Sequence, residues 1–385
     1  MQTPFGALGL DCDAALQQAL HTNSIVSPTP VQQTAVPLIL TQRDVCVSST
    51  TGSGKTLAYL LPILQRARKE PDYRAVILAP TPELAAQILH CAQLYAQGPR
   101  CLGLLGGGSI VRQKDALKKH PQILVGTPGR ILDLLFDRKV KTRSIGTWVL
   151  DEIDAILASQ HVNDLYEICS RPEFAPQIIC ASATVGPAAQ RYIERFMAAD
   201  HHQVTIAGAA LQHSIEHFVV PFTAAHKDVT LVRLLRAQRI DRALCFVNKL
   251  QHVGHLYRFL SAQGVACSSL SSERSKQERQ AAVMQLRKGV AQVVIATDAA
   301  ARGLDFPGMQ WVLQYEMARD AAMYLHRAGR VGRAGATGRS AVFVSPAERG
   351  LLRQYTKEHG IVFTTLSDET RRTADYRPML ASQSA

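Results

Sequence analysis

The sequence predicts an α/β fold of two tandem domains, each a mostly parallel sheet flanked by helices. The chain has 385 residues, which is long for one ordinary domain and sufficient for two. Apolar residues make up 46% of it and charged residues 19%, so large buried cores can form. Short apolar runs alternate with helical stretches along the chain, which is typical of βαβ units and therefore of parallel sheets.

The predicted strands are short runs rich in Val, Ile, Leu and Ala. In the first half they are Val45–Ser48, Ala75–Ala79, Ile123–Gly126, Trp148–Leu150 and Ile178–Ala181. In the second half they are Leu244–Val247, Val293–Ala296, Trp311–Gln314 and Ala341–Val344. Helices are predicted between them, for example Glu83–Ala96 and Gln277–Arg287, because the apolar residues there recur at helical spacing.

A domain boundary is expected near residue 210, because Ala207–Thr223 shows no clear hydrophobic period. The predicted domains are residues 1–209 and 210–367. A polar tail is predicted over residues 368–385. The pair His201-His202 has no acidic or Cys partner nearby, so it is predicted to lie in a surface loop rather than to bind a metal.

Lys and Arg outnumber Asp and Glu by 43 to 31, and a net charge of +12 favours a polyanionic partner. A basic protein without such a partner remains an alternative on charge alone. The 8 cysteines form no C-x-x-C pair, which indicates reduced thiols in an intracellular protein. No apolar run has the length of a membrane span and no targeting pattern is identified, so no membrane association is expected. A cytoplasmic or nuclear (including nucleolar) location is expected, with a mitochondrial one left open.

A phosphate-binding loop is predicted directly after the first strand. Residues 49–56 read S-T-T-G-S-G-K-T and run into a helical segment, so successive backbone N–H groups and a helix N-terminus can face one anion. Lys55 would reach the outer phosphates, and Thr56 would hold Mg²⁺. Ser49 stands where such loops usually open with glycine. The predicted nucleotide-binding residues of the loop are Thr51, Gly52, Ser53, Gly54, Lys55 and Thr56.

A second part of this site is predicted where the strand Trp148–Leu150 ends in Asp151-Glu152-Ile153-Asp154. Acids just beyond the carboxyl end of a parallel strand lie where such sheets bind ligands. Asp151 suits Mg²⁺, and Glu152 suits activation of the attacking water. An acidic strand end alone could be a solvated turn. Together with the Lys55 loop, it predicts ATP binding and hydrolysis.

These two motifs, in this order, resemble the DEAD-box RNA helicase family, with Ile153 at the position of the name-giving alanine. The resemblance covers residues from about 5 to 345. It is carried by the following segments: 28–32 (P-T-P-V-Q), 80–85 (P-T-P-E-L-A), 106–107 (G-G), 127–130 (T-P-G-R), 182–184 (S-A-T), 246–248 (F-V-N), 297–305 (T-D-A-A-A-R-G-L-D) and 326–333 (H-R-A-G-R-V-G-R). It implies two RecA-like domains that close on ATP and RNA together.

The resemblance also implies roles for individual residues. Gln32 would read adenine, which implies ATP rather than GTP, with Phe5 as the upstream aromatic residue. Asp305 would face the nucleotide, and Arg330 and Arg333 would stabilise charge on the γ-phosphate. Coupling residues would be Ser182, Thr184 and His326. RNA-contacting residues would be Thr81, Gly106, Gly107, Thr127, Arg130, Thr297 and Arg302.

Three positions depart from the family pattern. Pro82 replaces an arginine, Ser24 replaces a glycine, and Ile153 replaces a small residue. We expect the fold to accept Pro82, since Thr81 can cap a helix whose first turn contains Pro82 and Glu83. We expect weaker RNA affinity or weaker coupling to ATP from the lost arginine.

The predicted function is that of an ATP-dependent RNA helicase. RNA-stimulated ATP hydrolysis would be coupled to local duplex unwinding or to remodelling of RNA–protein particles. ATP and Mg²⁺ are the expected cofactors. Single-stranded or short duplex RNA would be bound through its backbone, without sequence specificity. Protein cofactors or a pre-ribosomal particle are expected partners of a monomeric chain, and a role in ribosome biogenesis is left open. Two alternatives remain: a slowly hydrolysing ATP-dependent RNA clamp that acts as an assembly factor, and a DNA helicase or translocase of the same superfamily.

Overall fold

A computed structural model describes most of the chain. The described residues are 3–49, 52–106, 108–171, 176–183, 185–206, 215–223, 226–271, 276–301, 306, 308–332 and 337–366. The chain divides into two compact units, Met1–Ala207 and Gly208–Ala385. The predicted boundary near residue 210 falls among residues 207–214, and the predicted tail 368–385 lies wholly outside the described residues.

The first unit is a seven-stranded parallel sheet with helices on both faces. Its strands are β1 Val45–Ser49, β2 Ala75–Leu78, β3 Cys101–Leu104, β4 Ile123–Gly126, β5 Thr147–Asp151, β6 Gln177–Ser182 and β7 His202–Ile206, in the order β3-β4-β2-β5-β6-β1-β7. Its helices are α1 Ala14–Thr22, α2 Pro30–Leu40, α3 Lys55–Lys69, α4 Pro82–Tyr95, α5 Ile110–Leu117, α6 Pro128–Phe136, α7 Ile153–Leu157, α8 Val162–Cys169 and α9 Pro187–Phe196. Because the paired strands are parallel, their carboxyl ends share one edge of the sheet.

The second unit repeats this architecture. Its strands are β8 Ile215–Pro221, β9 Ala243–Phe246, β10 Cys267–Leu270, β11 Val293–Ala296, β12 Trp311–Gln314, β13 Gly338–Val344 and β14 Phe363–Thr365, in the order β10-β11-β9-β12-β13-β8-β14, again with parallel pairs. Its helices are α10 Lys227–Ala237, α11 Leu250–Ala262, α12 Lys276–Arg287, α13 Asp298–Ala301, α14 Ala321–Ala328 and α15 Arg349–His359. The predicted fold class is confirmed.

Alternate residues of each strand feed two separate cores in the first unit. In β5, Val149 packs with helices α1 to α4, whereas Trp148 and Leu150 pack with helices α6 to α9. This alternation follows from the two-residue period of a strand covered on both faces. The carboxyl end of β5 is therefore held firmly from both sides, and that end carries Asp151.

All nine predicted strands are present, but five further strands were missed: β3, β7, β8, β10 and β14. β8 lies inside the region that showed no clear period. The polar residue His217 interrupts its apolar pattern, yet it is buried and hydrogen-bonds through Nδ1 with the Tyr324 hydroxyl at 2.8 Å. Burial lowers the pKa of His217 to about 4, so it is neutral near pH 7.

The prediction of a loop at His201-His202 is wrong for His202, which begins β7. Its backbone N–H donates to the carbonyl of Asp44 at 2.8 Å, and β7 continues as the strand next to β1. This strand was not predicted from the sequence because it lies at the sheet edge, where exposed polar residues alternate with the buried Val204.

The cysteines are all free thiols. Burial raises the pKa of Cys46 to about 11 and that of Cys169 to about 12, so neither forms a thiolate near neutral pH. Within the part of the chain that the structure describes, no helix is both long and apolar enough to cross a bilayer.

The backbone conformation at Ser24 shows why glycine is usual at this position. It follows α1 with φ 58°, in the left-handed region where a Cβ is strained, and its side chain is exposed. We expect Ser24→Gly to stabilise the first unit by about 0.5–1 kcal/mol, because the strain removed exceeds the entropy that glycine gains in the unfolded chain. Urea unfolding would measure this change. Thr22→Gly, at the last residue of α1, is the control and should destabilise by roughly 0.3–0.5 kcal/mol, the difference between the helix propensities of Gly and Thr. A lower midpoint for Ser24→Gly would contradict the argument.

Candidate functional site

The loop between β1 and α3 needs glycine at position 54. Gly54 has φ 97°, and a Cβ there would lie 2.5 Å from Gln32 Nε2 and 2.9 Å from Thr29 Oγ1. Gly52 is also left-handed, with φ 83°. A side chain at position 54 would therefore clash with the side chains of Gln32 and Thr29 and would be strained by the positive φ.

Gln32 connects α2 to this loop. Its Oε1 accepts from the Thr29 N–H at 2.9 Å in a capping box, and its Nε2 donates to the Gly54 carbonyl at 3.1 Å. The side chain is buried. The structure thus places the predicted adenine reader directly against the predicted phosphate loop. Phe5, by contrast, is buried in the hydrophobic core of the first unit.

Lys55 begins α3, and its ammonium is held within the loop. Lys55 Nζ donates to the Ser49 carbonyl at 2.5 Å, and the hydroxyls of Ser49 and Ser53 hydrogen-bond to each other at 2.7 Å. Desolvation lowers the pKa of Lys55, and the charges of Asp151, Glu152 and Asp154 act in the opposite direction. The lysine therefore lies within electrostatic range of all three acids at the end of β5.

Asp151 ends β5 in a buried network with α3. Its Oδ2 accepts from the Tyr59 hydroxyl at 2.8 Å, and the same tyrosine hydrogen-bonds with the side chain of Thr56. Burial and the charge of Glu152 raise the pKa of Asp151 to about 6. Tyr59 was not predicted to belong to the site. The available signal was its position three residues after Thr56, on the same helix face.

The oxygen atoms gathered here suit Mg²⁺. The network joins the Thr56 hydroxyl to the Asp151 carboxylate, and Asp154 Oδ1 is buried with no hydrogen-bond partner among the described residues. Hydroxyl and carboxylate oxygens are ligands that Mg²⁺ prefers. The residues present therefore fit the predicted metal.

Glu152 has a strained backbone. Its φ of 51° and ψ of 53° lie in the left-handed region, which costs about 1–2 kcal/mol for a residue with a Cβ. Its N–H donates to Asp151 Oδ1 at 3.0 Å, which turns the chain between β5 and α7. Strain of this kind persists where the surrounding structure fixes it, and it is concentrated at functional sites.

Ile153 contributes to the core rather than to the site surface. It begins α7, is fully buried and belongs to the hydrophobic cluster that also contains Tyr192 and Ile193 of α9. Its added bulk is therefore accommodated by apolar packing beneath the acids. Ser182, at the carboxyl end of β6, is likewise buried.

Three segments predicted to contact RNA follow β2, β3 and β4 at the same sheet edge. Thr81 caps α4 by accepting from the Leu84 N–H at 3.2 Å, and Pro82 begins that helix, as expected. Thr127 precedes α6, and Gly106 follows β3. These segments share the edge that carries the nucleotide loop, because every strand involved is parallel.

Arg130 is held by protein partners. Its Nη1 donates to the Gly108 carbonyl at 3.3 Å and to Gln113 Oε1 at 3.0 Å, and its Nε lies 3.6 Å from Asp133 Oδ2. The arginine therefore fixes the glycine-rich loop after β3. The expected direct RNA contact by its guanidinium stays a prediction.

In the second unit, Thr297 caps α13 at the carboxyl end of β11, where its Oγ1 accepts from the Ala300 N–H at 3.4 Å. His326 and Arg330 are linked by a hydrogen bond of 2.9 Å between Nε2 and Nη2, and Arg330 is buried. Both lie at the end of α14 or just beyond it.

Arg327 was not predicted as a site residue, yet it holds three motifs of the second unit together. Its Nε and Nη2 donate to the two oxygens of Asp298 at 2.8 and 2.6 Å. It also donates to Asn248 Oδ1 at 2.6 Å and to the Glu316 carbonyl at 2.7 Å. Its side chain is only 1% exposed. A buried arginine with a bidentate carboxylate partner positions its neighbours strongly.

Six predicted site residues lie outside the described residues. They are Thr51, Gly107, Thr184, Arg302, Asp305 and Arg333.

Comparison with known proteins shows the family of this chain. A family model described as DEAD/DEAH box helicase matches residues 29–192, and one described as helicase conserved C-terminal domain matches residues 226–335. The DEAD-box ATP-dependent RNA helicase CshA of Bacillus subtilis is 35% identical over 343 residues, which are 88% of this chain and 69% of CshA. CshC of Bacillus cereus is 35% identical over 357 residues, 92% of this chain and 91% of CshC.

Solved structures show the same similarity. The structure of S. cerevisiae Dbp5 bound to RNA and ADP BeF3 matches with a TM-score of 0.82 and 26% identity, over 96% of each chain. The structure of Mss116p bound to ssRNA and AMP-PNP matches with a TM-score of 0.82 and 25% identity, over 95% of this chain and 80% of that one. Fold and site together define a P-loop nucleotide hydrolase with two RecA-like domains. The chain belongs to the DEAD-box family of ATP-dependent RNA helicases.

Proposed function

We propose that this protein hydrolyses ATP in response to RNA and uses the cycle to separate short RNA duplexes or to remodel RNA–protein particles. One observation carries the proposal. The Lys55 loop, the acids Asp151 and Glu152, and the segments at Thr81 and Thr127 all lie at the carboxyl edge of one parallel sheet. Hydrolysis of the bound nucleotide would therefore take place close to backbone groups that can bind RNA phosphates.

In this proposal each residue has a distinct task. Lys55 binds the outer phosphates, and Thr56 and Asp151 hold Mg²⁺, which neutralises phosphate charge when it is bound. Glu152 accepts the proton of the attacking water. Gln32 selects adenine. From the second unit, Arg330 acts on the γ-phosphate. The family resemblance assigns matching roles to Asp305 and Arg333.

RNA would be held through its phosphates and sugars, so binding would show little sequence preference. The segments at Thr81, Gly106, Thr127 and Thr297 end strands or begin helices, where backbone N–H groups are available to anions. Pro82 supplies no positive charge at a position where the family has arginine. We therefore propose that RNA affinity relies more on such backbone groups. A monomer, Mg²⁺ dependence and an intracellular location complete the proposal.

The test is steady-state ATP hydrolysis with and without single-stranded RNA, with single-stranded DNA of the same length as the comparison. We expect strong stimulation by RNA and weak stimulation by DNA, together with ATP-dependent separation of a short RNA duplex. Glu152→Gln, which keeps the shape of the side chain, should abolish both activities. RNA binding without turnover would instead indicate the clamp, which the helicase names of the relatives do not favour. An equal response to DNA would contradict RNA specificity.

A further inference from the structure

A basic concave surface lies in the first unit, away from the nucleotide loop. We call it the basic basin and define it by Arg138, Lys141, Arg143 and Arg171. These side chains line a cavity of about 580 Å³ that continues beside Phe136 and Glu167. Arg138, Lys141 and Arg143 are exposed. Four cations within one concavity create a positive potential that a flat surface with scattered lysines would not.

Three of the four cations of the basin have no acidic partner among the described residues, and Arg171 forms one long ion pair. Within the described residues, no ion pair or side-chain hydrogen bond involves Arg138, Lys141 or Arg143. Nearby Asp137 is already ion-paired with Lys114, whose Nζ lies 2.7 Å from its Oδ2. Arg171 Nη2 is 3.9 Å from Glu167, and its buried Nε has no hydrogen-bond partner among the described residues. The guanidinium of Arg171 instead lies over the ring of Phe136, 4.9 Å from its centroid.

Arg138 is present in a conformation that favours glycine. It follows α6 with φ 54°, which is strained for any residue with a Cβ. Glycine there would be free of this strain.

The basin lies at the amino edge of the sheet, opposite the predicted RNA contacts. Lys141 and Arg143 precede β5, whose far end carries Asp151 about 13 Å away at the usual rise of a strand. Arg138 follows α6, which begins next to Thr127 and extends for about 13 Å. An RNA strand bound at the carboxyl edge therefore reaches the basin only with a flanking segment.

We propose that the basic basin binds the phosphate backbone of an RNA segment flanking the one held at the carboxyl edge. This inference rests on the proposed function. A flanking helix or strand brings several phosphates at once, and each contact with Lys or Arg releases counterions, which strengthens binding at low salt. The basin would bind through positive charge on phosphates rather than through hydrogen bonds to bases. It would therefore raise the affinity for longer RNAs without reading their sequence.

The experiment compares two RNAs on the whole chain with a non-hydrolysable ATP analogue: a single strand of about ten nucleotides, and the same strand carrying a hairpin. The variant combines Arg138→Gly, Lys141→Gln and Arg143→Gln. Glycine suits the backbone at 138, so folding should not suffer. The matched control removes three exposed charges of the same unit elsewhere that likewise have no ion pair among the described residues, by Arg100→Gln, Lys119→Gln and Arg191→Gln. Fluorescence anisotropy at several salt concentrations measures affinity.

We expect the basin variant to bind the hairpin RNA about tenfold more weakly than the wild type, while the short strand binds equally well. The slope of log affinity against log salt should become shallower by about 2–3 for the hairpin RNA, since three phosphate contacts are lost. The control should leave both RNAs unaffected. An equal loss in the control would overturn the proposal in favour of general electrostatics. A wild type that gains no affinity from the hairpin would also overturn it.

Two further outcomes separate the basin from the rest of the function. If the wild type fails to bind the short strand, the proposed function fails. The basin is then judged by binding of the hairpin alone, which the variant must still weaken. If poly-glutamate binds the wild type more tightly than the hairpin does, and only the basin variant loses it, the occupant is an acidic protein segment and the RNA proposal is overturned.

Discussion

Glu152→Gln should lower the ATP turnover number by about 10²–10⁴-fold, the usual contribution of a positioned general base. Nucleotide affinity should stay within a few fold, because Lys55 and the loop backbone are untouched. The substitution is isosteric, and residue 152 keeps its left-handed backbone with φ near 51°. Single-turnover hydrolysis with saturating RNA measures the chemical step. Binding of a fluorescent ATP analogue measures affinity separately.

Glu194→Gln is the control for the same chemical change. Glu194 lies exposed on α9, where its Oε1 accepts from Gln190 Nε2 at 2.9 Å. We expect no change in turnover from this variant. Turnover by Glu152→Gln within threefold of wild type would show that another group activates the water. The assignment of Glu152 would then be wrong.

Arg327→Met should destabilise the second unit by about 3–5 kcal/mol. Methionine fills much of the volume of arginine, but it leaves the carboxylate of Asp298 without its bidentate partner in a mostly buried position. Asn248 loses its donor at the same time. The loss should appear as a lower urea midpoint for the second unit only.

The two tryptophans of the chain allow this measurement. Trp148 belongs to the first unit and Trp311 to the second, so a Trp148→Phe background leaves Trp311 as the reporter of the second unit. Arg258→Met, an exposed arginine of α11, is the control and should cost less than about 0.5 kcal/mol. Adding Asp298→Asn to Arg327→Met should restore part of the loss, because the uncompensated charge is removed. A cost below 1 kcal/mol for Arg327→Met would contradict the role given to this network.

Much of the fold could be predicted from short apolar strands and their helical connections. Strands covered on both faces, such as β2 and β5, are continuous apolar runs and were found within one or two residues. Some of the missed strands, such as β8, carry buried polar residues whose hydrogen-bond partners lie far along the chain. In β8, His217 is kept neutral by burial, and it hydrogen-bonds with Tyr324, which lies 107 residues away. No local pattern could reveal such a partner.

The candidate site likewise contains residues that a local motif predicts and residues that only tertiary contacts reveal. Lys55, Thr56, Asp151 and Glu152 could be predicted because each follows a strand within a local motif. Arg327 could not, because its role arises from a contact 29 residues away along the chain. For Tyr59 the sequence offered only its spacing from Thr56, since its contact with Asp151 spans 92 residues. The departure at Ser24 was visible in the sequence, but its meaning came from the backbone angle.

The hydrogen bond from Lys55 to the Ser49 carbonyl has an energetic consequence for nucleotide affinity. A phosphate that engages Lys55 exchanges this contact for a new one, rather than adding a contact to a solvated ammonium. The net gain is the difference between two charge-assisted bonds, which is smaller than either bond alone. The same bond keeps the ammonium beside the loop backbone, so less side-chain entropy is lost when the phosphate arrives. Preorganisation of Lys55 thus reduces both the enthalpy gained and the side-chain entropy lost when a phosphate binds.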